Sequence, residues 1–255
     1  MTTGPVKVAA RMTNWFGVIA SGSELSEGAA RDLRERGFVV IPGPVAADGL
    51  AGLVAAYDSA VSSASPEDVA IGSTTTRVQD FVNRGPQFDG LYVHRPLLEA
   101  CCYVLGRPFK LSSMLARTLR PRSPAGELHV DSRPDELGWT MVGFILMVDE
   151  FRGDNGATRF IPGSHRWPTI PGGLGDDLRA DYDGQVLACG PAGSLIVYNG
   201  AVWHGHTANR SDEPRRSIQG AYIRRGAQSG VNLPARMRPE TLARLGPLAK
   251  YLLAV

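Results

Sequence analysis

Apolar residues recur at helical spacing through the first hundred positions of this chain and at strand spacing afterwards. In "AADGLAGLVAAYDSAVSSA" (46–64), Leu50, Leu53, Val54, Tyr57 and Val61 predict a helix. "SELSEGAARDLRERG" (23–37) predicts another, with Ser23 or Ser26 as its cap and Gly37 as its stop. A third runs through "RPLLEACCYVLG" (95–106). Between the first two in space along the chain, "FVVIPG" (38–43) is a short apolar strand ended by a Pro-Gly turn. The polar interlude 71–90 has no clear period and reads either as a solvated loop or as a lid over a site.

From Pro108 onward the pattern predicts strands at 109–121, 139–151, 157–163, 184–190, 193–200 and 215–225, with Gly, Pro, Asn and Asp in the gaps. Short strands at this spacing suggest a β-sandwich or barrel. Helices first and strands after suggest an α+β domain whose helices buttress a β-core. One domain over 1–255 is expected, with a helical part to about 107, a β-core to about 225 and a C-terminal loop or helix beyond. The loops at 164–183 and 226–240 are long enough to form lids or binding surfaces.

The formal net charge of +2 is too small to argue for nucleic acid or an anionic membrane surface. No run approaches the ~20 apolar residues that span a bilayer. Lys7 and Arg11 before "MTNWFGVIASG" resemble a signal peptide, but the apolar run from Trp15 to Ala20 is short for one, and it reads as an ordinary N-terminal segment. Three cysteines, Cys101, Cys102 and Cys189, are too few and too irregular for a disulfide framework and suit a reducing cytoplasm.

Candidate chemistry begins at "ELHVDSRPDE" (127–136). At a strand end, His129 and Asp131 point to the same face, because side chains alternate with period two. Such a pair is weak evidence alone. It gains meaning as part of a two-histidine, one-carboxylate triad, which holds Fe(II) from one side and leaves the other positions open. "YNGAVWHGHTANRSDEPRRS" (198–217) offers His204 or His206 as the third ligand, and Arg215 or Arg216 as a cation for a dianionic co-substrate. On the strand that follows, Arg215, Ser217 and Gln219 share one face, so an Arg-x-Ser pair can offer a planar fork and a hydroxyl to a carboxylate.

Together, "RERGFVVIPGPV" (34–45), "LHVD" (128–131), "DNGATRFIPGSHRWP" (154–168) and "GSLIVYNGAVWHGHTANRSDEPRR" (193–216) resemble the phytanoyl-CoA dioxygenase family of Fe(II)- and 2-oxoglutarate-dependent oxygenases. The resemblance covers nearly the whole chain. It implies a double-stranded β-helix, a cupin-like jelly roll, as the core. It implies His129, Asp131 and His204 as iron ligands and Arg215 as the residue that pairs with the far carboxylate of 2-oxoglutarate. His206 is then an auxiliary or surface residue, and His165 in "PGSH" a structural one. Thr140 is a candidate to touch the co-substrate or else a core threonine.

The implied activity is hydroxylation of an unactivated C–H bond of a small-molecule metabolite or biosynthetic intermediate, with release of succinate and CO2. Fe(II), 2-oxoglutarate and O2 are the implied cofactor and co-substrates. Halogenases of the wider superfamily lack the carboxylate ligand, so Asp131 argues against halogenation. Arg77, Gln79, Asp80 and Asn83 in the polar interlude, with Arg117 and Gln219, are candidates to meet the primary substrate. Arg117, Arg120, Arg122 and Arg133 are a candidate phosphate patch for an acyl-CoA, or equally for a small carboxylate. Competing readings are a cupin-like metalloenzyme that does not use 2-oxoglutarate, and a jelly-roll that binds a ligand without catalysis. The partner expected is a small molecule, with no nucleic acid or membrane, and the sequence leaves the oligomeric state open.

Overall fold

The computed structural model describes residues 13–172 and 177–255; Lys7, Arg11 and four residues of the 164–183 loop lie outside these. Two sheets face each other across the β-core. The larger has seven strands in the order β1-β8-β5-β10-β4-β3-β2. These are β1 (Phe38–Pro42), β2 (Val69–Ile71), β3 (Thr75–Val78), β4 (Phe109–Leu119), β5 (Met141–Met147), β8 (Ser194–Asn199) and β10 (Arg215–Arg224). The smaller is β7-β6-β9, from β6 (Thr158–Phe160), β7 (Val186–Ala188) and β9 (His204–His206). All pairings within the sheets are antiparallel. The arrangement is the jelly-roll core, with helices outside it, that the sequence led us to expect.

Each face of the large sheet is covered, which explains why β5 reads as a nearly continuous apolar run. Phe144 and Leu146 of β5 and Leu195 and Val197 of β8 pack with the helices. Ile145, Met147, Ile196 and Tyr198 point the other way and pack with Phe38, Phe151 and Phe160 between the sheets. Phe38 stacks on Phe160 at 4.2 Å, tying β1 to the small sheet.

The helices start and stop where local chemistry dictates. The apolar N-terminal stretch forms α1 (Trp15–Ala20), capped by Asn14 on the Gly17 N–H at 3.0 Å. Ser26, not Ser23, caps α2 (Glu27–Glu35) by accepting from the Ala29 N–H. The chain then leaves at Gly37, whose φ of 87° suits a residue without a Cβ. The long 46–64 prediction resolves into a 3-10 turn and α3 (Leu50–Ser62). A short α4 (Asp89–Tyr92) precedes α5 (Arg95–Leu105), which carries Pro96 in its first turn and ends on the left-handed Gly106. Three short helices, α6 (Leu233–Arg236), α7 (Pro239–Arg244) and α8 (Pro247–Leu253), close the chain. No helix among the described residues is long and apolar enough to cross a membrane.

The polar interlude is neither a free loop nor a detached lid. Its first half is the β2–β3 hairpin, added to the edge of the large sheet by pairing with β4. Its second half is fastened by charge. Arg84 and Arg236 converge on the buried Asp68 at 2.8 and 2.6 Å, and Arg244 grips Asp89. Polar residues at these positions are consumed by tertiary partners, which hides any periodicity in the sequence.

Candidate metal centre

The segment after β4 runs beside β9, where His129 and His204 exchange backbone hydrogen bonds of 2.9 and 3.0 Å. That exchange lays the two imidazoles side by side, with ring centroids 4.4 Å apart. Asp131, two residues beyond His129, has its backbone N–H on Gly200 O, which turns its side chain toward the same point. The result is that His129, Asp131 and His204 each offer one ligand atom, all within 4.8 Å of one another. Asp131 Oδ1 lies 3.7 Å from His129 Nε2, and Oδ2 lies 3.6 Å from His204 Nε2.

The protonation pattern suits a cation. His129 Nδ1 donates to Glu127 O at 3.0 Å and His204 Nδ1 to Val202 O at 3.0 Å, so both Nε2 atoms present lone pairs to the centre. Burial, against the pull of Asp131, lowers the His204 pKa to about 4. Burial works against the charged Asp131 carboxylate, but His204, the Tyr198 hydroxyl, His129 and Arg117 together hold it below the ordinary carboxylate range. Tyr198 donates to Asp131 Oδ2 at 2.7 Å and fixes the carboxylate. Two imidazoles whose far nitrogens are occupied, beside a carboxylate, form a donor set that fits a divalent metal.

Glycines permit this approach. A Cβ on Gly205, between His204 and His206, would press on the backbone carbonyl of Glu127. One on Gly143, opposite Tyr198 in the β5–β8 register, would overlap the Tyr198 ring.

The three groups open onto a cavity of about 460 Å³, within the range of small-molecule sites. Arg215 enters it from β10. Its guanidinium is buried, lies 3.9 Å over the Phe151 ring, and leaves Nε and Nη1 without a partner among the described residues. Burial, then the nearby Arg117, pulls its pKa down to about 9, so it remains a cation at neutral pH with no ion-pair partner among the described residues. Arg216 faces the other way, pairs with Asp149 at 2.7 Å and Asp58 at 2.8 Å, and has its pKa raised by them. An orphaned buried cation is what a bound dicarboxylate would satisfy.

Of the other sequence candidates, Arg77, Arg117 and Gln219 line the cavity. Ser217 lies fully buried beside it and donates to Arg117 O at 3.1 Å, so its hydroxyl joins β10 to β4 and is not part of the cavity wall. Thr140 donates to Arg133 O, sits just before β5, and is not among the residues that line the cavity. Gln79, Asp80 and Asn83 are also elsewhere. Gln79 O accepts from Arg84, and Asn83 bridges Asp80 to the backbone of Arg236 and Arg238. Arg120 and Arg122 bond to backbone carbonyls, and Arg122 also to Asp212, so they do not gather with Arg117 into one patch. His165 is bonded to Arg34 O and His94 to Pro42 O.

Sequence reading missed Tyr198, which looks like one more apolar residue of "GSLIVYNG". His206, read from the sequence as an auxiliary or surface residue, is buried and stands outside the triad. That side chain lines the cavity, with Nε2 3.3 Å from Thr74 Oγ1 at the β2–β3 tip.

Comparison with known proteins gives the same family that the motifs resemble. The family model described as phytanoyl-CoA dioxygenase (PhyH) matches residues 33–217. Dioxygenase cdmA of Talaromyces verruculosus is 36% identical over 110 residues, 39% of this chain and 35% of that protein. The multifunctional dioxygenase ausE of Emericella nidulans is 27% identical over 235 residues, 84% of this chain and 78% of that protein. The chain thus spans only about a third of cdmA, and more of ausE. Among solved structures, HygX from Streptomyces hygroscopicus, with nickel and 2-oxoglutarate bound, has a TM-score of 0.66 at 18% identity, over 80% of this chain and 89% of that one. The epimerase SnoN, in complex with Fe3+, alpha ketoglutarate and nogalamycin RO, has a TM-score of 0.63 at 22% identity, over 78% and 83%. These likenesses show a common fold. With a family match over most of its length, the chain belongs to the phytanoyl-CoA dioxygenase family.

Proposed function

We propose that the protein is a non-haem Fe(II)- and 2-oxoglutarate-dependent dioxygenase that hydroxylates an unactivated C–H bond of a small-molecule metabolite or biosynthetic intermediate. One observation carries this reading: three donor atoms within 4.8 Å of one another share a cavity with the buried, unpartnered Arg215. A triad without a cation at that place would suit a cupin-like enzyme that needs no 2-oxoglutarate.

When bound there, iron and 2-oxoglutarate supply the oxidising chemistry, in which O2 and 2-oxoglutarate yield succinate, CO2 and an oxygen atom for the substrate. The chain's own part is to bind, orient and keep dry. His129, Asp131 and His204 would hold the metal from one side. The carbonyls of Glu127 and Val202 set the two rings, and the Tyr198 hydroxyl sets the carboxylate. Arg215 would take the far carboxylate of 2-oxoglutarate. Its burial against Phe151 keeps water from that ion pair and strengthens it.

The test is iron-dependent formation of succinate from 2-oxoglutarate by the purified protein in air, which oxygenases of this type perform slowly even without a primary substrate. Succinate that requires added Fe(II) and disappears in His129→Ala supports the proposal. Iron binding without any 2-oxoglutarate consumption, across a panel of small metabolites, would move the protein to the cupin-like reading.

A further inference from the structure

The cavity holds more positive charge than the proposed chemistry uses. Four arginines line it, Arg77, Arg117, Arg179 and Arg215. Arg179 is paired with Glu127 at 3.0 Å, and Arg215 is the proposed co-substrate anchor. A divalent metal on Asp131, with a dianionic co-substrate on Arg215, leaves no net charge in that half of the cavity. Arg77 and Arg117 remain.

These two arginines stand directly opposite each other on β3 and β4, and both reach the cavity. Like charges facing across a ladder are destabilising. Neither has an acidic partner among the described residues. Arg117 Nη1 donates to Gln219 Oε1 at 3.4 Å, and its Nε is buried with no partner there. Burial, and next the charge of Arg77, lowers the Arg117 pKa to about 10. Other buried or half-buried arginines, Arg84, Arg216 and Arg244, are matched with the acids Asp68, Asp149 and Asp89. The cross-strand pair has no such acid and lies where a ligand enters. Arg117 lines the same cavity as His129, Asp131 and His204, so a group bound to it lies beside the metal centre.

We infer that the primary substrate carries an anionic group, a carboxylate or a phosphate, held between Arg117 and Arg77 of the paired strands β3 and β4. This rests on the oxygenase reading for the other occupant of the cavity. Arg117 is the inner contact, and the exposed Arg77 is the outer one near the hairpin tip, where Ser73 and Thr74 add hydroxyls to the rim.

The experiment is calorimetric titration of the protein loaded with Fe(II) and 2-oxoglutarate, without oxygen and at constant ionic strength. The probes are benzoate, phenyl phosphate and the neutral benzamide, and the visible absorbance of the metal–2-oxoglutarate chelate is recorded on the same samples. At least one anion should saturate a single site per chain, with benzamide weaker by about tenfold or more. The tighter anion identifies the group as carboxylate or phosphate. Arg117→Gln and Arg77→Gln should each lose about tenfold for that anion and much less for 2-oxoglutarate, and Arg117→Lys should keep part of the binding. Equal binding of benzamide, or anion binding that survives both glutamine variants, overturns the inference. So does a loss of 2-oxoglutarate affinity in Arg117→Gln as large as in Arg215→Ala, which would assign Arg117 to the co-substrate. Failure of the oxygenase reading appears separately, as a wild-type protein that forms no chelate.

Discussion

Arg215 and Arg216 are adjacent in sequence and face opposite ways across β10. The first lies over Phe151 in the cavity with two nitrogens unpartnered, and the second is clamped by Asp149 and Asp58 outside it. The alternation of a strand therefore divides two identical side chains into a ligand anchor and a structural tie. Arg215→Ala should weaken 2-oxoglutarate binding by roughly a hundredfold, as expected when a charge-assisted fork is lost from a dry site, with little change in Tm. Arg216→Ala should leave that affinity within about twofold and cost about 1–3 kcal/mol of stability. Titration of 2-oxoglutarate and thermal unfolding of both variants separate the roles.

Among the described residues, Tyr198 is the one side chain that hydrogen-bonds to the Asp131 carboxylate. Tyr198→Phe keeps the ring in the core between the sheets and removes only the donor. Metal affinity should fall by about ten- to a hundredfold, the usual cost of losing a residue that orients a ligand. An Fe(II) titration measures this. Unchanged affinity would mean that the carboxylate is held by its backbone alone.

Gly143 connects the strand packing to the same site. Because a Cβ there would overlap the Tyr198 ring, Gly143→Ala should push the tyrosine off Asp131. It should therefore cost both stability, by about 1–3 kcal/mol for overpacking, and metal affinity. Gly184→Ala is a useful contrast. A Cβ there meets nothing within 4 Å, but φ is 75°, so it should cost some stability without touching the metal.

Acid should loosen the metal-free protein before its carboxylates titrate. Burial holds His204 and His206 at about 4, well below the value of about 6.5 for an unfolded histidine. Across that window the unfolded chain binds more protons than the native one. Stability therefore rises with pH between about 4 and 6.5 and falls as pH is lowered through it. Tm measured across the window should decline toward acid, and His206→Gln should flatten part of the slope. A flat profile would contradict the burial of these rings as neutral species.

Much of this was readable from residue order, and the exceptions have physical causes. Strands β5 and β8 announce themselves because both faces of the large sheet are covered and apolar runs result, whereas β4 and β10 mix apolar with polar residues and are marked by the Gly, Pro, Asn and Asp in the gaps around them. Strand β9 does not, since it is three residues long and two of them are histidines that serve the cavity. The β2–β3 hairpin is concealed because its polar residues Ser73, Thr74, Thr75 and Arg77 line a cavity, and because Asp68, Asp80 and Asn83 beside it are tied to arginines and carbonyls more than 150 residues away. The triad positions follow from His-x-Asp and the family pattern. Tyr198 does not, because a period-two apolar strand gives no sign that one of its hydroxyls reaches a carboxylate. Thr140 and Asn83 show the opposite error, polar residues whose partners are the protein itself.

The most direct test of the central claim is anaerobic titration of the metal-free protein with Fe(II) and then 2-oxoglutarate, following visible absorbance. A charge-transfer band that appears only with both additions, and is lost in Asp131→Ala and weakened in Arg215→Ala, is the predicted result. Iron binding with no band at saturating 2-oxoglutarate would contradict it, and would leave the buried cation on β10 in need of another ligand.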